Sequence, residues 1–156
     1  MRNIDRVCRK YKVRNVIALE QKCRDSDQRR MRSLKWDYTK DSLDTRIVFD
    51  LVQVPQTELT PDENWRVNQM IWLWYHHAVS CAISRHKDRK KALEFVNKAL
   101  EYQARIKDHP NKITPLFKLL LLGKLDEAKN FAKEPDFADR DLAKDLIEDW
   151  EMQAPC

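Results

Sequence analysis

The sequence predicts an all-α protein, a compact helical bundle built around one central buried helix. The 156 residues contain a single glycine, Gly123, whereas tight hairpins and phosphate-cradling loops draw on glycine for positive backbone angles. Apolar residues recur at helical spacing through most of the chain, often behind a residue suited to cap a helix. The stretch from Thr60 to Arg85 is apolar on nearly every side, which is the pattern of an enclosed helix.

Taken in order, Ile4, Val7, Cys8 and Tyr11 mark a first amphipathic helix, with Asn3 placed to cap it. A second carries Val16, Leu19 and Cys23 inward and Lys22, Arg24, Arg29, Arg30 and Arg32 outward. The run IDRVCRKYKVRNVIALEQK resembles a helix-turn-helix, with Cys8 at its small position and Val13 opening its second helix. It departs from that pattern at Lys12, where the turn usually has glycine, and at Gln21, where an apolar residue should close the pair. Residues 33–54 admit a small β-hairpin, because Leu34, Trp36 and Tyr38 alternate with polar residues and a turn fits at Lys40 to Asp44. They also admit a helix over 42–53, with a Ser42 cap and Leu43, Ile47, Leu51 and Val54 on one face. The helix is preferred, since an isolated two-stranded ribbon is marginal.

Pro55 ends that element, and Thr60, Pro61 and Glu63 form a capping box with proline at the first helical position. Val67, Ile71, Trp74, Ala78 and Ala82 then make one apolar stripe, and Trp65, Trp72, Val79 and Ile83 make others. Asp88 caps the next helix, running to about Lys107, with Ala92, Phe95, Val96, Ala99, Gln103 and Ile106 inward. After His109 and Pro110, Thr114 and Pro115 repeat the cap-plus-proline start of a short helix that Gly123 closes. Leu125 to Lys133 forms another helix. A last one from Asp136 turns Leu142, Leu146, Ile147 and Trp150 inward and an acidic face outward.

Ala92 and Ala128 lie 36 residues apart in similar surroundings, close to the roughly 34-residue period of tetratricopeptide repeats. Residues 72–133 resemble that family. Ala92 and Ala99 match the small positions of a second helix, Ser80 the small contact position of a first helix, and Gly123 and Ala128 the turn and small position of the next unit. His76, Ala104 and Pro135 depart from its pattern. PNKITPLFKLLLLGKLDEA also resembles one pentatricopeptide unit, shortened between Thr114 and Gly123. The tetratricopeptide resemblance implies a scaffold that grips a peptide or protein in a concave groove, with the N-terminal helices capping the stack.

Length fits one domain spanning residues 1–156, with basic N-terminal helices over 1–40 and a helical core over 60–152. Charged residues at 35% and apolar residues at 42% exclude a disordered chain. The start, MRNIDRVCRKYKVR, has no apolar leader, and no stretch reaches the roughly 18 uninterrupted apolar residues of a membrane span. Cys8, Cys23, Cys81 and Cys156 are scattered as reduced thiols would be, so a cytoplasmic protein without disulfides, off the membrane, is expected.

Residues 1–40 hold 13 basic against 5 acidic side chains, a charge of +8, and the remainder carries −3. That asymmetry points to an acidic partner. Arg9, Lys10, Lys12, Arg14, Lys22, Arg24, Arg29, Arg30 and Arg32 would contact phosphates if the partner is DNA or RNA, and Trp36 and Tyr38 would stack on bases.

His76, His77, Cys81 and His86 are the one cluster of candidate metal ligands. His77 and Cys81 are a helical turn apart, but His86 falls off their face and a fourth ligand is missing, so no metal is expected. Cys81 sits in the most apolar stretch, where burial opposes a reactive thiolate. Asp62 with Glu63, and Asp126 with Glu127, are explained by helix starts. The five tryptophans, Trp36, Trp65, Trp72, Trp74 and Trp150, are largely core. The expectation is a non-enzymatic interaction protein without a cofactor, holding a protein partner; nucleic-acid binding through the basic helices is the alternative.

Overall fold

The computed structural model describes residues 1–153. Among them the chain forms eight α-helices and one 3₁₀ turn, with no strand. In order these are α1 (Asn3–Lys10), α2 (Val16–Arg32), α3 (Leu43–Val52), the turn Gln56–Glu58, α4 (Pro61–Ser84), α5 (Arg89–Gln103), α6 (Ile113–Leu121), α7 (Leu125–Ala132) and α8 (Arg140–Met152). Among the described residues no helix is long and apolar enough to cross a membrane.

The central helix is α4. Its capping box forms as the sequence predicts: Glu63 N donates to Thr60 Oγ1 at 3.2 Å and Thr60 N to Glu63 Oε1 at 2.9 Å. Val67, Ile71, Trp72, Trp74, Ala78, Val79 and Ala82 are all buried, with α5 against one side and α2 and α3 against another. Trp65, by contrast, stands 47% exposed near the start of the helix. Beyond α5, the helices α6, α7 and α8 stack in sequence, each on the one before.

Several sequence expectations are corrected. The β-hairpin does not form. Residues 33–42 are instead a loop wrapped around Arg30, whose guanidinium donates to Asp37 O at 2.7 Å, to Ser42 Oγ and to both Asp44 carboxylate oxygens at 2.8 and 2.9 Å. Once that loop is claimed, Ser42 caps α3 through Thr45 N, as the helical reading has it. Arg30 therefore points inward, not outward. Asn3 does not cap α1; Glu58 does, accepting from Ile4 N at 2.8 Å. Asn111 caps α6 in place of Thr114, whose own side chain is buried. The helix-turn-helix spacing fails because α2 starts at Val16 behind an Asn15 cap, past Val13. Helix α5 ends at Gln103, short of Lys107, though Ile106 stays buried in the turn that follows. Helix α8 begins at Arg140, and its buried positions are Ala143 and Ile147, leaving Leu142 exposed.

With one glycine available, the chain places Lys12, Leu34, Lys87 and Asp108 at positive φ as its helices end or turn. Each costs local strain that glycine would avoid. Three of the four are polar; Leu34 is the exception.

The core also holds buried carboxylates, and each has partners. Glu20 accepts from Arg66 at 2.8 Å, Asp44 from Arg30 and from Ser26 Oγ at 2.8 Å, and Asp27 from Trp36 Nε1 at 2.8 Å with His77 Nδ1 also 2.8 Å away. These bonds fasten α2 to α3, to α4 and to the 33–42 loop, as burial of charge requires.

Candidate functional site

A groove of about 410 Å³ runs alongside α4. One wall is Met31 at the end of α2 with Leu34 and Trp36 of the loop behind it. The floor comes from α4 (His76, His77, Ser80, Cys81) and α6 (Ile113, Phe117), and the far wall from α8 (Leu142, Leu146). Leu34 is 79% exposed, Leu142 50% and Met31 44%. Three large exposed apolar side chains facing one groove from both walls are more than scattered surface leucines, which need no explanation.

The floor is held in place by polar contacts beneath it. His76 stacks on Trp72 with ring centroids 5.0 Å apart and lies 6.0 Å from Phe117, while its Nδ1 is 2.8 Å from the buried Thr114 hydroxyl. Burial pushes the His76 pKa down to about 4, with His77 and His109 adding repulsion, so its imidazole is neutral at pH 7. Trp36 meets the edge of His77 at 5.5 Å and is fixed by Asp27. Arg85, at the end of α4, donates to Leu34 O at 2.7 Å and Trp36 O at 2.9 Å, anchoring the rim loop to the central helix.

The basic residues singled out in the sequence do not share one surface. Arg9, Lys10, Lys12 and Arg14 are exposed around the end of α1, and Lys10 pairs with Asp50 at 2.8 Å. Lys22 donates to Tyr11 O at 2.7 Å, and Arg24 lies 3.8 Å from Glu20. Arg29 and Arg32 are exposed at the far end of α2, while Arg30 is consumed by the loop. Trp36 is 5% exposed, bonded through its indole N–H and covered by the Arg30 guanidinium at 4.7 Å, so no base can stack on it. Tyr38 is half-buried against Phe95 and His86, at 4.8 and 4.9 Å.

The histidines also part company. His76 faces Thr114, His77 faces Asp27, and His86 returns over Cys81 to meet Asp37 at 2.9 Å. The sequence reading misses this last grouping because Asp37 comes from a loop that only tertiary structure brings to α4. It also misses the groove, whose rim joins α2 to α8. The one signal within reach was an apolar Leu34 in a basic, polar stretch. Compared with known protein families, with curated proteins and with solved structures, the chain finds no match.

Proposed function

We propose that this chain is a non-enzymatic helical interaction protein that holds an apolar segment of a protein partner in the groove beside α4. The observation that carries the reading is the exposed rim of Met31, Leu34 and Leu142 over a floor of aromatic and small side chains. Such a groove suits an amphipathic helix laid in by its apolar stripe. The tetratricopeptide resemblance fits this reading. The alternate helices α4, α6 and α8 line the groove while α5 and α7 stand behind, and Ala92, Ala99 and Ala128 are fully buried where those back helices approach their neighbours. Ser80, exposed on the groove floor, departs from the packing role that the resemblance implies. The free thiols of Cys8, Cys23 and Cys81 fit a cytoplasmic protein.

The test uses the full chain and its Leu34→Asp, Leu142→Asp double variant as paired baits. A partner retained by the unaltered chain is then purified and its affinity for both measured. Each apolar anchor contributes about 1.5–3 kcal/mol when buried, so the double variant should bind at least about tenfold more weakly. Equal affinity refutes the groove.

A second reading rests on Arg9, Lys12 and Arg14, which line one shallow depression at the end of α1 and make no ion pair among the described residues. If this patch contacts nucleic-acid phosphates, polynucleotide binding will weaken steeply with salt and be lost in Arg9→Glu, Arg14→Glu. No binding at low salt eliminates it.

A further inference from the structure

Asp37, Cys81 and His86 bring a carboxylate oxygen, a thiol sulfur and an imidazole nitrogen within 4.8 Å of one another. How they meet follows from the end of α4. In a regular helix, residues five apart point well away from each other. Here the last turn widens: His86 N donates to Cys81 O at 3.2 Å and Asp88 N to Ala82 O at 2.9 Å, with Lys87 at positive φ. The imidazole is thereby swung back over Cys81 and seated against Tyr38. Asp37 approaches from the loop. Thr39 orients its carboxylate, donating from both backbone N (2.9 Å) and Oγ1 (2.7 Å) to Oδ1.

From this geometry we propose that Asp37, Cys81 and His86 form a binding site for a zinc ion, clamping the 33–42 loop to the end of α4. The donor set selects the metal, since sulfur and imidazole nitrogen favour zinc over magnesium or calcium. Tetrahedral ligands about 2.0–2.3 Å from an ion stand roughly 3.3–3.8 Å apart, so the Asp37–His86 pair, now 2.9 Å apart, must open slightly to admit the ion, while the widest separation in the group, at most 4.8 Å, closes by about an ångström. Three protein ligands leave the fourth position to water. Thr39 supplies the outer hydrogen bonds that ligating carboxylates need.

Two features work against the ion. The Arg85 guanidinium lies 3.7 Å from Asp37 Oδ2, though its shorter bonds go to the Leu34 and Trp36 carbonyls, at 2.7 and 2.9 Å. Burial also holds the Cys81 proton on sulfur. Zinc binds the thiolate, so Cys81 releases one proton to solvent for each ion taken up. His86 now directs Nε2 at Asp37, a hydrogen bond that gives way when that nitrogen ligates the ion.

The experiment is equilibrium dialysis of the full chain against zinc alone, followed by elemental analysis, with cobalt as an optical probe of thiolate ligation. One ion per chain is expected, together with a thiolate-to-cobalt absorption band and a rise in melting temperature. Cys81→Ser and His86→Ala, checked for native helix content by circular dichroism, should each weaken binding at least about tenfold. His86 is exposed, so its variant should fold even if the other does not. Zinc held equally by wild type and both variants marks an adventitious ion only and overturns the site, as does a cobalt complex lacking the thiolate band.

Discussion

Removing the Arg30 guanidinium while keeping most of its stem, as Arg30→Met does, should be among the most damaging changes in this chain. The side chain donates to both oxygens of Asp44, to Ser42 and to the Asp37 carbonyl, and it covers Trp36. Asp44 is almost completely buried and would keep only the Ser26 hydroxyl and no cation. Leaving a buried charge uncompensated costs about 3–5 kcal/mol. For a chain of this length that is a fall in melting temperature of roughly 10 °C. The assay is urea denaturation followed by tryptophan fluorescence, with Arg29→Met and Arg32→Met as exposed controls expected within about 0.5 kcal/mol of wild type. Adding Asp44→Asn to Arg30→Met should recover part of the loss, because the stranded charge is gone. A single-variant loss below about 1 kcal/mol would refute the argument and return Arg30 to the basic surface. It follows that charge reversal at Arg29, Arg30 and Arg32 together is a poor probe of nucleic-acid binding, since it would unfold the loop.

His76 predicts an acid sensitivity whose sign is fixed by burial. Its folded pKa of about 4 lies below the ordinary 6.5, so the unfolded chain binds the proton more readily. Stability should be full above about pH 6.5 and fall between there and about pH 4, by on the order of 3 kcal/mol; His76→Asn should flatten that slope in urea titrations at stepped pH. Asp37 acts lower. Burial raises its pKa, but the Thr39 hydrogen bonds and His86 outweigh that and hold it well below the usual carboxylate range. Its contribution is present above about pH 4 and lost as pH falls further, so Asp37→Asn should blunt the acid limb. Leu34→Gly should raise stability by about 0.5–1 kcal/mol by relieving a positive φ, yet weaken partner binding by removing a rim residue. Stability and affinity moving together would contradict the role given to Leu34. Thr60→Ala should cost about 1 kcal/mol through the lost cap of α4, measured by thermal melting.

The amino-acid sequence by itself determined the helical class and the approximate span of most elements. Caps, prolines and apolar periodicity act within a few residues, so Thr60–Glu63, Ser42 and Asp88 could be read directly and their hydrogen bonds formed as expected. The inward stripes of α4 and α5 were legible for the same reason. What only tertiary structure decided were the relations between distant residues. Arg30 looked like one more surface cation until Asp44 and the 33–42 loop folded over it. Asp37, Cys81 and His86 became neighbours only when a loop docked on a widened helix end. Leu142 fits the periodicity of an inward residue, but α8 meets α6 and α7 along Ala143 and Ile147, which leaves Leu142 on the groove with Met31 and Leu34. Local hydrogen bonds and periodicity specify a helix one turn at a time, whereas a groove or a ligand set depends on which faces of separate helices end up opposed, and no single stretch of chain encodes that.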